Sequence, residues 1–588
     1  MRSPFSLVTL GAFLSLTRAL DLPVITLPWG KYQAEVFADD EEILLFRNVR
    51  FGKEPPRFGA PSFPNWEDGS IQSPDRSTAC VQIDPKKLSH PPVGGNPLED
   101  PQKSRTAQTE DCLFLDIYVP KWAFEEKETL LPVTVWIYGG GYAFGSKNQG
   151  GPLYTGKSIL QASNYNSIFI AGNYRVGAFG WLAGDYMQRV GQPNAGLYDQ
   201  ALLLEWVQKY IDQAHGDKEF VSAWGESAGA GSILHHLVRE DGTVDPNFHT
   251  FSAQSPGFEW AWDNSPGGKL DTMFRNFSRL AGCEFAYDID CLRDAPVADL
   301  AEANQNLYDL VRQTGLFPVG PAIDGKWIKN LSPISFSEGK YWKNIRSGII
   351  SHVANEGYLF SPKDMDSETK YDAFLSEFLP GSALAPQRAA IKNQYDCKKT
   401  WLGNYRLCVA AIIAHAVFTC NTRDLATAYP DVSHMMEYNF PAEGLAYHGS
   451  DLIPLFVTNA TEAEKLLESL DIDKNLIEIM AALIDTSIRG PFQNYFASFA
   501  LYGSPNSLGA RVHWPTVGDN GDEFSDVLKV GLAWGSSFTL GSDSKNSKAK
   551  CSFWSGLAKE IVAAKTTYGD SHGALLEAQY PINSGNEL

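Results

Sequence analysis

Residues 221–232 read V-S-A-W-G-E-S-A-G-A-G-S, with Ser227 at the centre of a G-x-S-x-G pattern. The apolar run before Gly225 reads as a buried strand. Small residues follow Ser227, and Ile233 and Leu234 then open a helical pattern. A serine hydroxyl is a poor nucleophile until a base takes its proton. A strand, a sharp turn and a helix in succession lift such a hydroxyl clear of its sheet, where a base reaches it. The turn strains the serine backbone, and Gly225 and Gly229 remove side chains that would clash there. The helix start adds unpaired N–H groups and the positive end of its dipole. The spacing therefore points to nucleophilic attack by Ser227.

Such an attack needs a base, an orienting acid and donors for the developing oxyanion. The chain has eleven histidines. His448, in L-A-Y-H-G-S-D-L, lies on a loop just past a strand, late in the chain, with Gly449 after it. His215 precedes the nucleophile, His235 and His236 fall in the helix after it, and His352 lies inside an apolar strand. His415 sits in a helical stretch, and His434, His513 and His572 lack a glycine-flanked loop. The reading selects His448. Glu356, in A-N-E-G-Y, follows a strand, precedes a glycine and falls between Ser227 and His448. An acid there accepts the imidazole Nδ1–H and fixes its tautomer. Y-G-G-G-Y at 138–142 ends an earlier strand, and consecutive glycines turn backbone N–H groups toward a ligand. Gly140 and Gly141, with the N–H of Ala228, are the expected oxyanion donors. Acyl transfer by these groups needs no metal and no cofactor.

The elements that must hold these residues are legible in outline. Runs at 113–120, 131–141 and 168–176 are apolar, β-rich and ended by breakers. Residues 197–213 place Leu203, Leu204, Val207 and Ile211 at helical spacing. Residues 347–357 and 434–440 read as further strands, and helical stretches such as 461–488 dominate between and after them. Residues 24–52 read as an antiparallel start. Strands alternating with helices predict an α/β chain with a large, mostly parallel central sheet, helices on both faces and helical insertions above its C-terminal edge. Loops gather function at that edge.

Composition narrows the partners. The 588 residues carry a formal net charge of −20. An acidic surface repels phosphate backbones and anionic membranes, so no nucleic acid partner is expected. Residues 1–20 join an Arg to about a dozen mostly apolar residues and then small ones, which reads as a secretory signal peptide cleaved near Ala19 or Leu20. No later segment reads as a membrane span, and 21–588 reads as one domain. The expected address is extracellular. The eight cysteines, Cys80, Cys112, Cys283, Cys291, Cys397, Cys408, Cys420 and Cys551, then favour disulfides. N-x-S/T sequons at Asn276, Asn330 and Asn459 fit glycosylation, with Pro333 after Ser332 weakening the second. Oligomeric state is left open.

E-D-C-L-F-L-D-I-Y-V-P, Y-G-G-G-Y, N-Y-R-V-G-A-F-G, N-A-G-L-Y-D-Q, G-E-S-A-G-A-G-S, A-N-E-G-Y and A-Y-H-G-S-D-L, in this order along the chain, resemble the type-B carboxylesterase/lipase family from about residue 22 to about 568. That family holds cholinesterases and fungal esterases and lipases. The resemblance implies an α/β-hydrolase fold and a Ser227–Glu356–His448 triad. It also implies Cys80–Cys112 and Cys283–Cys291 bridges. The other four cysteines allow three pairings, and family position favours Cys420–Cys551, leaving Cys397–Cys408. The chain departs from the family pattern at H-G-D-K-E-F before the elbow strand and at Ala230.

The loop at 81–111 contains no Phe, Trp or Tyr. Choline esters are disfavoured, because a quaternary ammonium seeks aromatic faces. Its apolar residues are scattered, whereas an interfacial lipase should carry an amphipathic lid. The expectation is a secreted serine ester hydrolase for small or medium carboxylic esters. Its alternatives are a lipase on longer glycerides, a lactonase or acyl-transfer esterase of secondary metabolism, and a non-catalytic adhesion-type relative.

Overall fold

The computed structural model describes residues 22–564, apart from 73–77, 88–106, 127–128, 149–152, 311–316, 469–472 and 534–535. The leader reading and much of the 81–111 loop therefore lie outside the described residues. A twelve-stranded sheet organises the chain. Its strands are β1 (Glu35–Val36), β2 (Ile43–Arg50), β3 (Phe114–Pro120), β4 (Leu131–Ile137), β5 (Ile168–Gly172), β6 (Gly216–Glu226), β7 (Thr250–Gln254), β8 (Ser347–Val353), β9 (Ser433–Tyr438), β10 (Gly518–Asn520), β11 (Glu523–Ala533) and β12 (Ser536–Asp543). Their spatial order is β10-β11-β9-β8-β7-β6-β4-β5-β3-β2-β1, with β12 paired to β11.

The centre, from β5 to β11, is parallel. The margins are antiparallel: β1, β2 and β3 at one side, β10 and β12 at the other. The mostly parallel α/β sheet expected from the sequence is thus a parallel centre with antiparallel margins. Central strands β5, β7, β8 and β9 are buried along their whole length. β5 is a continuous apolar run, while β7, β8 and β9 bury Thr, Ser, His, Gln or Glu side chains as well, since a parallel strand is covered on both faces.

The helices that matter for the site are α1 (Ala195–Tyr210), α2 (Ala228–Leu237), α3 (Lys269–Leu280), α4 (Tyr405–Ile413), α5 (Cys420–Ala428), α6 (Arg489–Tyr502) and α7 (Lys548–Ala563). Strand β6 shows how they cover both faces. Side chains alternate along a strand. Trp224 packs on Phe496 and Phe499 of α6. Its neighbour Gly225 faces the other way, where an added Cβ would come within 2.6 Å of Gly229 at the start of α2.

Helix α4, a π-helical turn (Ala414–Thr419) and α5 form one continuous helix, 405–428. Contrary to the sequence reading, this segment is long and apolar enough to cross a membrane by length and composition. Its window is 72% buried inside the protein, however, so it serves as a core helix here. Apolar packing is continuous from Ile25 to Ile561.

Candidate active site

Ser227 sits one residue past the end of β6 and caps α2 at φ 57°, ψ −125°. Only a turn held on several sides keeps a non-glycine residue there. The Ser227 N–H donates to Gln254 O at 2.9 Å, while Ser227 O accepts from Gly231 N–H at 2.8 Å and Gly257 N–H at 3.0 Å. Gly229 is obligatory for space, since a Cβ there would lie 1.9 Å from Ile137 O. The strained serine turn inferred from G-E-S-A-G is present.

Glu356 and His448 leave the C-terminal ends of adjacent strands, three residues past β8 and ten past β9. An isolated parallel bridge between Asn355 and Tyr447, one residue before each, stitches the two loops together. The Asn355 N–H also donates to Ala446 O at 3.0 Å. Glu356 Oε1 accepts from the Val353 N–H at 2.9 Å, which aims the carboxylate. Its Oε2 then meets His448 Nδ1 at 2.5 Å. Such a partner fixes the tautomer with the Nε2 lone pair free. Nε2 makes no hydrogen bond among the described residues, though it is buried. It faces the residue before the serine, 3.2 Å from Glu226 Oε1. Gly357, read as a turn residue, has a packing role as well: its Cβ would lie 1.9 Å from Ala410 O of α4.

The sequence reading assigned no role to Glu226 or Asp451, though both lie inside the motifs it used. Their side-chain directions depend on the folded turns, which residue type alone does not reveal. Asp451 Oδ2 accepts from Gln254 Nε2 at 2.8 Å. Burial pushes the Glu226 carboxyl up to about 8, against the pull of His448. Burial likewise raises Asp451 to about 6, against its bond from Gln254. Burial opposes charge on His448 too, but the charges of Glu226 and Glu356 outweigh it and raise the imidazole. Three carboxyls around one imidazole cannot all be ionised cheaply. The ionisations of Glu226 and His448 are therefore coupled, a charged Glu226 favouring the charged imidazole.

Beside the serine lies a pocket of about 430 Å³, walled by Tyr142, Phe258, Phe317, Phe360, Val417 and Phe418. Phe418 stands on the π-helical turn, and its ring centroid is 4.4 Å from that of His448. π-Helical turns recur at functional sites because they displace side chains from helical register. Here the turn brings one aromatic ring against both the pocket and the imidazole. Gly140 and Gly141, just past β4, take φ 101° and 60°. No acceptor among the described residues takes their N–H groups. Ala228 opens α2, where the N–H has no partner within the helix.

The remaining assignments divide. The bridges are Cys80–Cys112, Cys283–Cys291, Cys397–Cys408 and Cys420–Cys551. Asn459 is exposed and caps a short helix by accepting from the Glu462 N–H, while Asn330 is half-buried. Asn276 is 3% exposed on α3. A glycan cannot be seated on a side chain without solvent access, so the folded chain disagrees with the expectation at Asn276. His352 pairs with Asp543 at 2.7 Å and Glu437 pairs with Lys529. These groups lie close enough to suggest a metal site, but both His352 ring nitrogens are hydrogen-bonded within the protein.

Residues 21–554 match the family model described as the carboxylesterase family. A secreted lipase of Arthroderma benhamiae is 32% identical, over 95% of this chain and 97% of its own. Lipase 2 of Geotrichum candidum is 30% identical, over 82% and 88%. Carboxylesterase patB of Aspergillus clavatus is 29% identical, over 74% and 83%. Among solved structures, Aspergillus niger EstA superposes with a TM-score of 0.73 at 24% identity, covering 92% of this chain and 99% of that one. At that identity the likeness speaks for the fold, which is that of an α/β-hydrolase.

Proposed function

This chain belongs to the carboxylesterase family, and on that premise we propose that it hydrolyses carboxylic esters through Ser227, His448 and Glu356. The observation that carries the reading is the 2.5 Å bond from His448 Nδ1 to Glu356, with Nε2 lying 3.2 Å from Oε1 of Glu226, the residue before Ser227. Ser227 Oγ attacks the ester carbonyl while Nε2 takes its proton. The N–H groups of Gly140, Gly141 and Ala228 hold the oxyanion. The tetrahedral adduct then expels the alcohol, which takes the proton from His448. Water repeats the sequence on the acyl-serine and releases the acid. Glu356 keeps the imidazole in the required tautomer and stabilises the imidazolium.

The pocket favours a small or medium ester, because Phe258, Phe317, Phe360 and Phe418 crowd the space beside Ser227. Relatives named lipases carry a second reading, that of longer acyl glycerides. Secretion is supported by the apolar leader, by the four bridges and by the secreted relative. A mature N-terminus near residue 20 or 21 is expected for protein recovered from the medium.

The test is a p-nitrophenyl ester panel of rising chain length, with organophosphate labelling. The wild type should take one label and prefer short or medium chains. Ser227→Ala should take no label and lose at least about 10³-fold in kcat. Labelling and full activity in that variant would overturn the triad. Strong activation by emulsified long-chain triglyceride would favour the lipase reading instead.

A further inference from the structure

We propose that Glu259 makes this pocket selective for esters bearing a hydrogen-bond donor, a hydroxyl or an ammonium, a few bonds from the ester group. The proposal deepens the ester-hydrolase reading of the same pocket and rests on it. Glu259 follows β7 by five residues and lines the pocket together with Ser227. Among the described lining residues it is the one side chain carrying a carboxyl or a basic group. Its neighbours on the wall include Phe258, Phe317, Phe360 and Phe418, none of which offers a hydrogen bond.

A carboxyl placed among such rings loses its water and needs replacement donors. Among the described residues Glu259 has only part of that replacement. Oε1 accepts from the Phe317 N–H at 2.8 Å. Oε2 lies 3.9 Å from Lys269 Nζ, beyond hydrogen-bond reach. Both side chains are about 10% exposed or less, so little bulk water reaches them to supply the rest. The outcome is a carboxyl pushed up to about 7 by burial, with Lys269 and the Phe317 N–H pulling against that rise. A carboxylate can accept several hydrogen bonds. A ligand hydroxyl or ammonium in the pocket would supply a missing one, whereas a plain hydrocarbon would leave it unmade.

The same geometry suggests why the selection should reach the reaction. Phe317, held at its N–H by Glu259, sets its ring where a Cβ on Gly141 would be, 2.3 Å from that position. Glu259 and Gly141 of the glycine loop proposed to hold the oxyanion line the same pocket, so a group bound at Glu259 shares that space with the reacting ester. Discrimination by hydrogen bonding is sharper than discrimination by shape, because the buried partner is otherwise left unpaired.

The donor can sit on either side of the ester, so the test uses two matched pairs. p-Nitrophenyl 3-hydroxybutyrate against p-nitrophenyl butyrate places a hydroxyl on the acyl side. 2-(Dimethylamino)ethyl butyrate against 3-methylbutyl butyrate places an ammonium N–H on the alcohol side at nearly constant shape. For at least one pair, kcat/KM in the wild type should favour the donor ester by about tenfold or more. Glu259→Leu should abolish that ratio. Glu259→Gln keeps a carbonyl for the Phe317 N–H and should retain a hydroxyl preference while losing an ammonium one. Organophosphate titration counts the correctly folded sites of each variant. Ratios near one for both pairs in the wild type would overturn the proposal, as would a ratio unchanged in Glu259→Leu. Failure of the wild type to cleave any of the four esters or take the label would instead overturn the hydrolase reading.

Discussion

At the residue scale, the chemistry turns on which group near His448 holds a proton. Glu226 contributes an ion-pair form in which the imidazole is charged, and a charged imidazole cannot accept the serine proton. Glu226→Gln removes that form while keeping the side-chain shape. The acid limb of the pH dependence of kcat/KM should then move to lower pH, by about one pH unit or more. The plateau should stay within about tenfold of the wild type. A limb that stays in place or moves to higher pH would show that Glu226 does not favour the charged imidazole. The sequence showed what could react here but not how it would be tuned. Ser227, Glu356 and His448 could be proposed from the sequence because motif, order and strand ends constrain them. Glu226, Asp451 and Glu259 are ordinary acidic residues until the fold turns them inward, and only then does burial raise them.

At the element scale, strand ends deliver the site, and their supports include a buried ion pair. His352 lies on β8, four residues before Glu356, and pairs with Asp543 at the end of β12. Burial opposes the charge on His352, but Asp543 overrides it and raises the imidazole to about 9. Burial also opposes the charge on Asp543, yet His352 holds that carboxyl at about 2. The signs set a window. His352 stabilises the fold fully below its unfolded value of about 6.5, and this is lost as pH rises through about 9. Asp543 stabilises it above its unfolded value of about 3.9, and this is lost as pH falls through about 2. The pair therefore contributes most between about pH 4 and pH 6.5. Thermal melts of the wild type should show a component of Tm that falls between about pH 6.5 and pH 9. Asp543→Asn should lack that component and lose about 3–5 kcal/mol at pH 6, because a buried charge is left unpaired. Equal pH dependence in both proteins would refute this role. Strands β11 and β12 were not legible beforehand. Two irregularities in their register break the alternation that a sequence reader counts, and Glu523, Asp526, Lys529 and Asp543 dilute the apolar run. The π-helical turn was illegible for a related reason: 405–428 has helical composition throughout, and the wider turn is set by what packs on it.

At the scale of the whole molecule, the bridges differ in how much chain they close. Cys283–Cys291 spans 8 residues, whereas Cys420–Cys551 spans 131 and ties α5 to α7. If a bridge acts mainly by limiting the unfolded chain, the long loop matters more. Loop-closure entropy gives about 5 kcal/mol for the long bridge and about 2.5 kcal/mol for the short one. The long bridge also bears on the site. Cys420 directly follows the π-helical turn, two residues after Phe418, which walls the pocket and packs on His448. Replacing Cys420 and Cys551 together by alanine should lower the urea midpoint clearly more than the same change at Cys283 and Cys291. It should also raise KM for the best ester while the Cys283 and Cys291 variant leaves KM unchanged, since no residue of that short loop is among the described lining residues of the pocket. Equal losses of stability in the two variants would mean that native-state strain or structure in the unfolded chain outweighs loop length. An unchanged KM in the first variant would mean that core packing around the 405–428 helix, 72% buried in its apolar window, holds Phe418 without help from the bridge.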